Sequence, residues 1–247
     1  MSRLRVLLFD VFGTLVDWRA SLVAAAEAAG DRSGVRAAWT DVIDDWRRAY
    51  QPAMNTVRRG SPWRDLDTLQ RATLTEVLAK HDVDLPAEER EFLVSGWRRL
   101  KPWPDSAEGL NRLRRDYVTA TLSNGHIALL VDLLRFGDLR VDAVLSAELA
   151  SSYKPEPVVY QTALRLLGAN AAEAGMVAAH PSDLQAAASL GLLPIFVRRS
   201  AEWGPGGQAP PDPALDGLVA ADDLIDLAAR LGAPVASPGS GQASGVQ

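Results

Sequence analysis

Residues 5–18 read RVLLFDVFGTLVDW. From Val6 to Phe9 the run is apolar without alternation, which marks a strand buried on both faces, and such strands belong to parallel sheets covered by helices above and below. The run ends on a carboxylate, Asp10. Open α/β sheets place their ligands just outside the carboxyl ends of their strands, so Asp10 is a candidate catalytic group; an Asp opening a turn or helix is also a common cap, and the residue alone leaves both readings standing. Gly13 frees the next loop from Cβ restrictions, letting backbone N–H groups turn toward Asp10, and Thr14 adds a hydroxyl at the same spot.

Beyond Trp18 the periodicity turns helical for about eighty residues with no strong strand candidate. Residues 21–29 are Ala-rich and are expected to stop at Gly30. Residues 35–51 repeat apolar side chains at Val35, Trp39, Val42, Trp46 and Ala49, predicting an amphipathic helix ended by Pro52. A third helix is predicted over 66–80 and a fourth over 86–100, with Pro86 in its first position and Glu88 and Glu89 complementing its dipole. Six of the seven tryptophans lie between Trp18 and Trp103; they fill the core of this helical insertion or wall a small apolar substrate. Residues 17–19 and 101–104 are expected to form a two-strand hinge.

From Asp105 strands and helices alternate. Strands are predicted at 117–122, 141–146, 175–179 and 193–198, between helices at 106–115, 127–136, 158–167 and 183–190, with a closing helix over 221–231. That order gives a doubly wound, Rossmann-like parallel α/β sheet core (1–17 and 104–232) with an inserted helical cap domain (18–103) and a Ser/Gly-rich flexible tail (233–247). Four polar loops then converge on one sheet edge: 10–14, 123–124, Lys154 and 180–183.

Composition bounds the function. The chain has 247 residues, is 47% hydrophobic and 23% charged, and carries a net charge of −5, which argues against a nucleic-acid partner because phosphate contacts need a basic footprint. Five Arg doublets, at 47–48, 58–59, 98–99, 114–115 and 198–199, read mostly as solvated helix faces. No apolar run approaches a membrane span, and residues 1–5 carry no signal-peptide pattern. With no cysteine the chain has no disulfide or thiolate chemistry and suits a cytoplasmic protein.

The phrase FDVFGTL, followed by SNG (123–125), YKPEP (153–157) and the loop VAAHPSDL (177–184), resembles the haloacid dehalogenase superfamily of aspartate-nucleophile enzymes. Phosphatases of that superfamily carry a second Asp two residues after the first, as general acid. This chain has Phe12 there. An apolar side chain cannot protonate a leaving alkoxide, whereas a halide leaves as a stable anion. The resemblance therefore narrows to the L-2-haloacid dehalogenases, with a small halogenated carboxylic acid as substrate and no metal or other cofactor.

It implies Asp10 as the nucleophile that forms an ester with the substrate, Thr14 beside it, and Lys154 as the counter-charge that keeps Asp10 ionised. Arg47, after Trp46, matches an Arg that binds substrate and halide; helix geometry alone leaves Arg48 as a rival and a solvated Arg as a third reading. Ser123 and Asn124 offer a hydroxyl and an amide to the substrate carboxylate, or simply form a turn. Tyr160 is expected to line the site or to sit in the core, and Phe12 to wall the substrate. Asp183 holds Lys154, orients water or caps its helix. Where the better-described members carry a Ser and an Asn, this chain has Ala178 and His180; His180 replaces the Asn as a polar contact, serves as base for ester hydrolysis, or is a hydrogen-bonded structural residue. Two other readings stand beside the dehalogenase: a phosphatase with Mg²⁺ on Asp10 and Asp183, and an idle relative that binds a small anion. Dimers are common in the family, making the chain a candidate homodimer.

Overall fold

In a computed structural model that describes residues 4–207 and 210–232, the run Val6–Phe9 forms β1, all four residues at 1% exposure or less. A tight loop leads to β2 (Val16–Asp17) and then to four helices: α1 (Trp18–Ser33), α2 (Trp39–Arg58), α3 (Leu66–Lys80) and α4 (Ala87–Gly96). The chain returns through β3 (Lys101–Pro102), which pairs antiparallel with β2. It continues through α5 (Ser106–Leu113), β4 (Val118–Ser123), α6 (Ile127–Phe136), β5 (Ala143–Ser146), α7 (Pro157–Leu166), β6 (Ala174–Ala178), α8 (Pro181–Ser189), β7 (Leu193–Val197), β8 (Val219–Ala221) and α9 (Leu224–Gly232).

Six strands make one parallel sheet in the order β5-β4-β1-β6-β7-β8. Successive crossovers run one way from β1 to β4 and β5, and the other way from β6 to β7 and β8. Right-handed crossovers in opposite directions put helices on opposite faces, and α5 packs with α9 while α7 packs with α8. The direction reverses between β1 and β6, so their carboxyl ends flank the crevice where doubly wound sheets bind ligands.

The structure departs from the sequence expectations in the helical insertion. The first helix runs through Gly30 and stops at Gly34, whose φ of 69° makes it the left-handed cap; Gly30 is instead a contact point, because a Cβ there would lie 2.7 Å from the Trp39 ring. Pro52 lies inside α2. Buried Met54 and Val57 beyond it anchor the extra turns, so packing outweighs the missing N–H. Pro86 caps α4 from outside, and β8 had no expected strand. The expected tail, 233–247, lies outside the described residues.

Candidate active site

Asp10 sits one residue beyond β1, 7% exposed, and both its oxygens are held. Oδ1 accepts from the Lys154 ammonium at 2.9 Å. Oδ2 accepts from the Thr14 hydroxyl at 2.8 Å and lies 3.1 Å from Nδ1 of His180. Thr14 also accepts from the backbone N–H of Ala179 at 3.0 Å, which ties the loop after β1 to the loop after β6. Burial alone would push the Asp10 carboxyl up; the Lys154 ammonium and the His180 imidazole outweigh it and hold the carboxyl well below the usual range.

Lys154 spans two carboxylates. Its ammonium donates to Asp183 Oδ2 at 2.5 Å, and the Tyr160 hydroxyl donates to the other Asp183 oxygen at 2.5 Å. Burial opposes the Lys154 charge, but Asp10 and Asp183 hold the proton and raise its pKa. Burial pushes the Asp183 carboxyl up, opposed by Lys154; with a donor on each oxygen it functions as an acceptor-only carboxylate. Asn124 positions the lysine from behind, its Oδ1 accepting from the Lys154 backbone N–H at 2.7 Å.

On the other side of Asp10, His180 bridges to Glu202, in the loop after β7. Nε2 of His180 lies 3.0 Å from Oε1 of Glu202, which also accepts from the Trp18 indole at 2.9 Å. Glu202 is 1% exposed, and although burial works against its charge, His180 keeps its pKa below the usual value. Each imidazole nitrogen faces a carboxylate oxygen, so both donate and the ring is an imidazolium. Burial disfavours that charge, yet Glu202 and Asp10 push its pKa up to about 10. A ring so held is a donor in the resting protein. Gly13, with φ of 88°, makes room for the pair: a Cβ there would stand 2.3 Å from Glu202 Oε1 and 3.1 Å from the His180 ring.

These groups open onto a cavity of about 410 Å³ lined by Asp10, Asn124, Lys154, His180 and Asp183 from the sheet edge and by Arg47, Tyr50, Gln51 and Arg58 from α2, with Phe12 in its wall. Phe12 meets Trp97 edge-to-face at 5.3 Å. Arg47 lies over the rings of Trp18 and Tyr50, at 5.3 and 4.6 Å, whereas Arg48 pairs with Asp45 on the surface, which separates the two rivals. Ser123 and Tyr160 do not reach the cavity wall: Ser123 is fully buried and accepts from the Gly125 N–H at 3.1 Å, and Tyr160 stands behind Asp183. The Arg doublets are likewise not uniformly solvated, since Arg58 lines the cavity and Arg199 is buried against Asp105.

A parallel sheet with a buried aspartate at its switch point, a lysine shared between two carboxylates and a helical insertion above them are the frame of a hydrolase with a Rossmann-like core. The chain belongs to the haloacid dehalogenase-like hydrolase family, whose profile matches residues 4–191. It is similar to (S)-2-haloacid dehalogenase 4A of Burkholderia cepacia, 30% identical over 202 residues that make up 81% of this chain and 85% of the relative. One solved L-2-haloacid dehalogenase matches with a TM-score of 0.85 and 41% identity, covering 92% of this chain and 99% of that one. A defluorinating L-2-haloacid dehalogenase matches with a TM-score of 0.88 and 34% identity, covering 93% and 96%.

Proposed function

We propose that the protein hydrolyses small L-2-haloacids, or haloacetates, to D-2-hydroxy acids, or glycolate, through a covalent ester on Asp10. The observation that carries this reading is Phe12 in the cavity wall beside an ionised Asp10: the position that would supply a proton to a leaving oxygen is apolar, and halide departure needs none. Asp10 attacks the α-carbon from the side opposite the halogen, the carbon–halogen bond breaks with its electron pair on the halide, and the carbon inverts. Lys154 keeps the attacking carboxylate ionised and aimed, with Asp183 and Tyr160 fixing the lysine. Residues 18–103 act as the cap over this chemistry.

Ester formation cancels the Asp10 charge. It thereby removes two of the interactions that hold the His180 proton, and the proton leaves to solvent while Glu202 keeps the ring oriented. Nδ1 of the neutral ring then accepts a proton from the water that attacks Asp10 Cγ. The tetrahedral centre collapses, the hydroxy acid leaves with its oxygen protonated, and the remaining acid proton returns to His180 as Asp10 re-ionises. The phosphatase reading asks Asp10 and Asp183 to share a metal ion, but the Lys154 ammonium already bonds both carboxylates. Among the described residues no group of three His, Asp or Glu side chains has metal-holding geometry.

The test is halide release from L- and D-2-chloropropionate, chloroacetate and fluoroacetate in the presence of EDTA, beside p-nitrophenyl phosphate with Mg²⁺. Chloride from the L-isomer but not the D-isomer, insensitive to EDTA, is expected. Phosphate release without halide release would overturn the proposal.

A further inference from the structure

Two guanidiniums reach the cavity from α2. Arg47 and Arg58 are eleven residues apart, which on a helix of 3.6 residues per turn puts them on one face with their Cα atoms about 16 Å apart along the axis. Tyr50 and Gln51 lie between them, and neither arginine makes a salt bridge with a described residue. Each has a buried Nε without a hydrogen-bond partner.

Their surroundings differ. Arg47 lies on aromatic faces, a weakly hydrated setting that matches a single polarisable anion. Arg58 hydrogen-bonds only neutral oxygens, with the Glu156 carboxylate acting on it without a direct bond: Nη2 donates to the Lys154 carbonyl, Nη1 to Asn55 Oδ1 at 2.6 Å, and both reach the exposed Gln51 amide only at 3.3 Å. A carboxylate is a stronger acceptor than an amide oxygen and displaces so long a bond.

The charges at the site decide what the second arginine serves. Among the groups that line the cavity or bond to its lining, Asp10, Asp183 and Glu202 face Lys154, His180, Arg47 and Arg58, an excess of one positive charge for a bound substrate, with Glu156 acting on Arg58 from outside the lining. A monocarboxylate neutralises it. A dicarboxylate leaves an uncompensated negative charge, and removal of either arginine does the same with a monocarboxylate. During displacement the nucleophile's charge passes to the halogen, so the cavity then holds two separate anions, the substrate carboxylate and the departing halide. We propose that Arg58 is the residue that binds the substrate carboxylate, with Arg47 left to receive the halide, so that the site selects monoanionic acids. This rests on the dehalogenase reading and adds to it the carboxylate anchor that Ser123, withdrawn from the wall, does not supply.

The test measures inhibition by propionate, an unreactive carboxylate, and by bromide, against L-2-chloropropionate turnover in the wild type, Arg58→Gln and Arg47→Gln. Arg58→Gln is expected to weaken propionate about tenfold to a hundredfold and raise KM in parallel, with bromide inhibition within about twofold of wild type. Arg47→Gln is expected to show the reverse split. Unchanged propionate inhibition in Arg58→Gln, or equal loss of both anions, overturns the assignment. Arg58→Lys, which keeps the charge but loses the fork, is expected to bind propionate better than Arg58→Gln; if Arg58→Gln does not fold, wild-type propionate affinity in Arg58→Lys overturns the assignment. A wild type that binds propionate in an Arg58-dependent way by titration calorimetry but releases no halide sinks the dehalogenase reading and spares the anion site.

Discussion

Replacing Asp10 by Asn removes the attacking charge while keeping the shape, and halide release is expected to fall by at least about 10⁴, measured as chloride from L-2-chloropropionate. His180→Gln keeps a donor toward Asp10 but not a base, so the first displacement persists and ester hydrolysis slows by about 10²–10⁴. Intact mass then shows the substrate's carboxyalkyl group esterified to Asp10; full turnover with no adduct would remove His180 from the second step. The raised His180 pKa also has a stability consequence. A pKa lifted from 6.5 to about 10 stabilises the folded state fully below pH 6.5 and loses that contribution as pH climbs through 10, by a few kcal/mol at most. Wild type is therefore expected to exceed His180→Asn in Tm most at about pH 6, with the gap closing by about pH 10.

At the scale of the element, Gly30 makes a test of packing against propensity. Alanine in a helix interior normally gains about 0.5–1 kcal/mol over glycine, but here the added methyl meets the Trp39 ring and the Val35 carbonyl at 2.7 Å. Gly30→Ala is expected to lose about 1–3 kcal/mol, read from urea unfolding. The same contact explains why the helix end was misplaced in the sequence: a glycine needed for a close approach looks identical to one needed for a turn. Uninterrupted apolar runs such as Val6–Phe9 and Ala174–Ala178 were legible because burial on both faces leaves a pattern in the chain itself. β8 left none, being three residues of an edge strand with only Ala221 fully buried. Asp10, Lys154 and Asp183 could be found by their phrases. Glu202 could not, since its meaning comes from His180 22 residues earlier and Trp18 184 residues earlier; the only local signal is an acid beside a tryptophan in a Gly-rich loop.

Across the whole molecule, Arg199 ties the site loop to the start of α5 and, through Asp105, to the start of α9. It donates to the Thr14 carbonyl at 2.9 Å and forks onto Asp105 at 2.7 and 2.8 Å, while Asp105 accepts from the backbone N–H that opens α9. Arg199→Met leaves Asp105 buried without its partner and is expected to cost about 3–5 kcal/mol, seen as a lower unfolding midpoint with KM little changed in the folded fraction.

The groups around Asp10 also carry a consequence for synthesis. They arrive in the order 10, 14, 124, 154, 180, 183 and 202, so the nascent polypeptide exposes Asp10 first and the acidic partner of His180 last. Until residue 154 and the loops after it leave the ribosome, Asp10 is a hydrated carboxylate without its lysine counter-charge. A chain cut short before residue 202 is therefore expected to lack the carboxylate that faces Nε2 of His180.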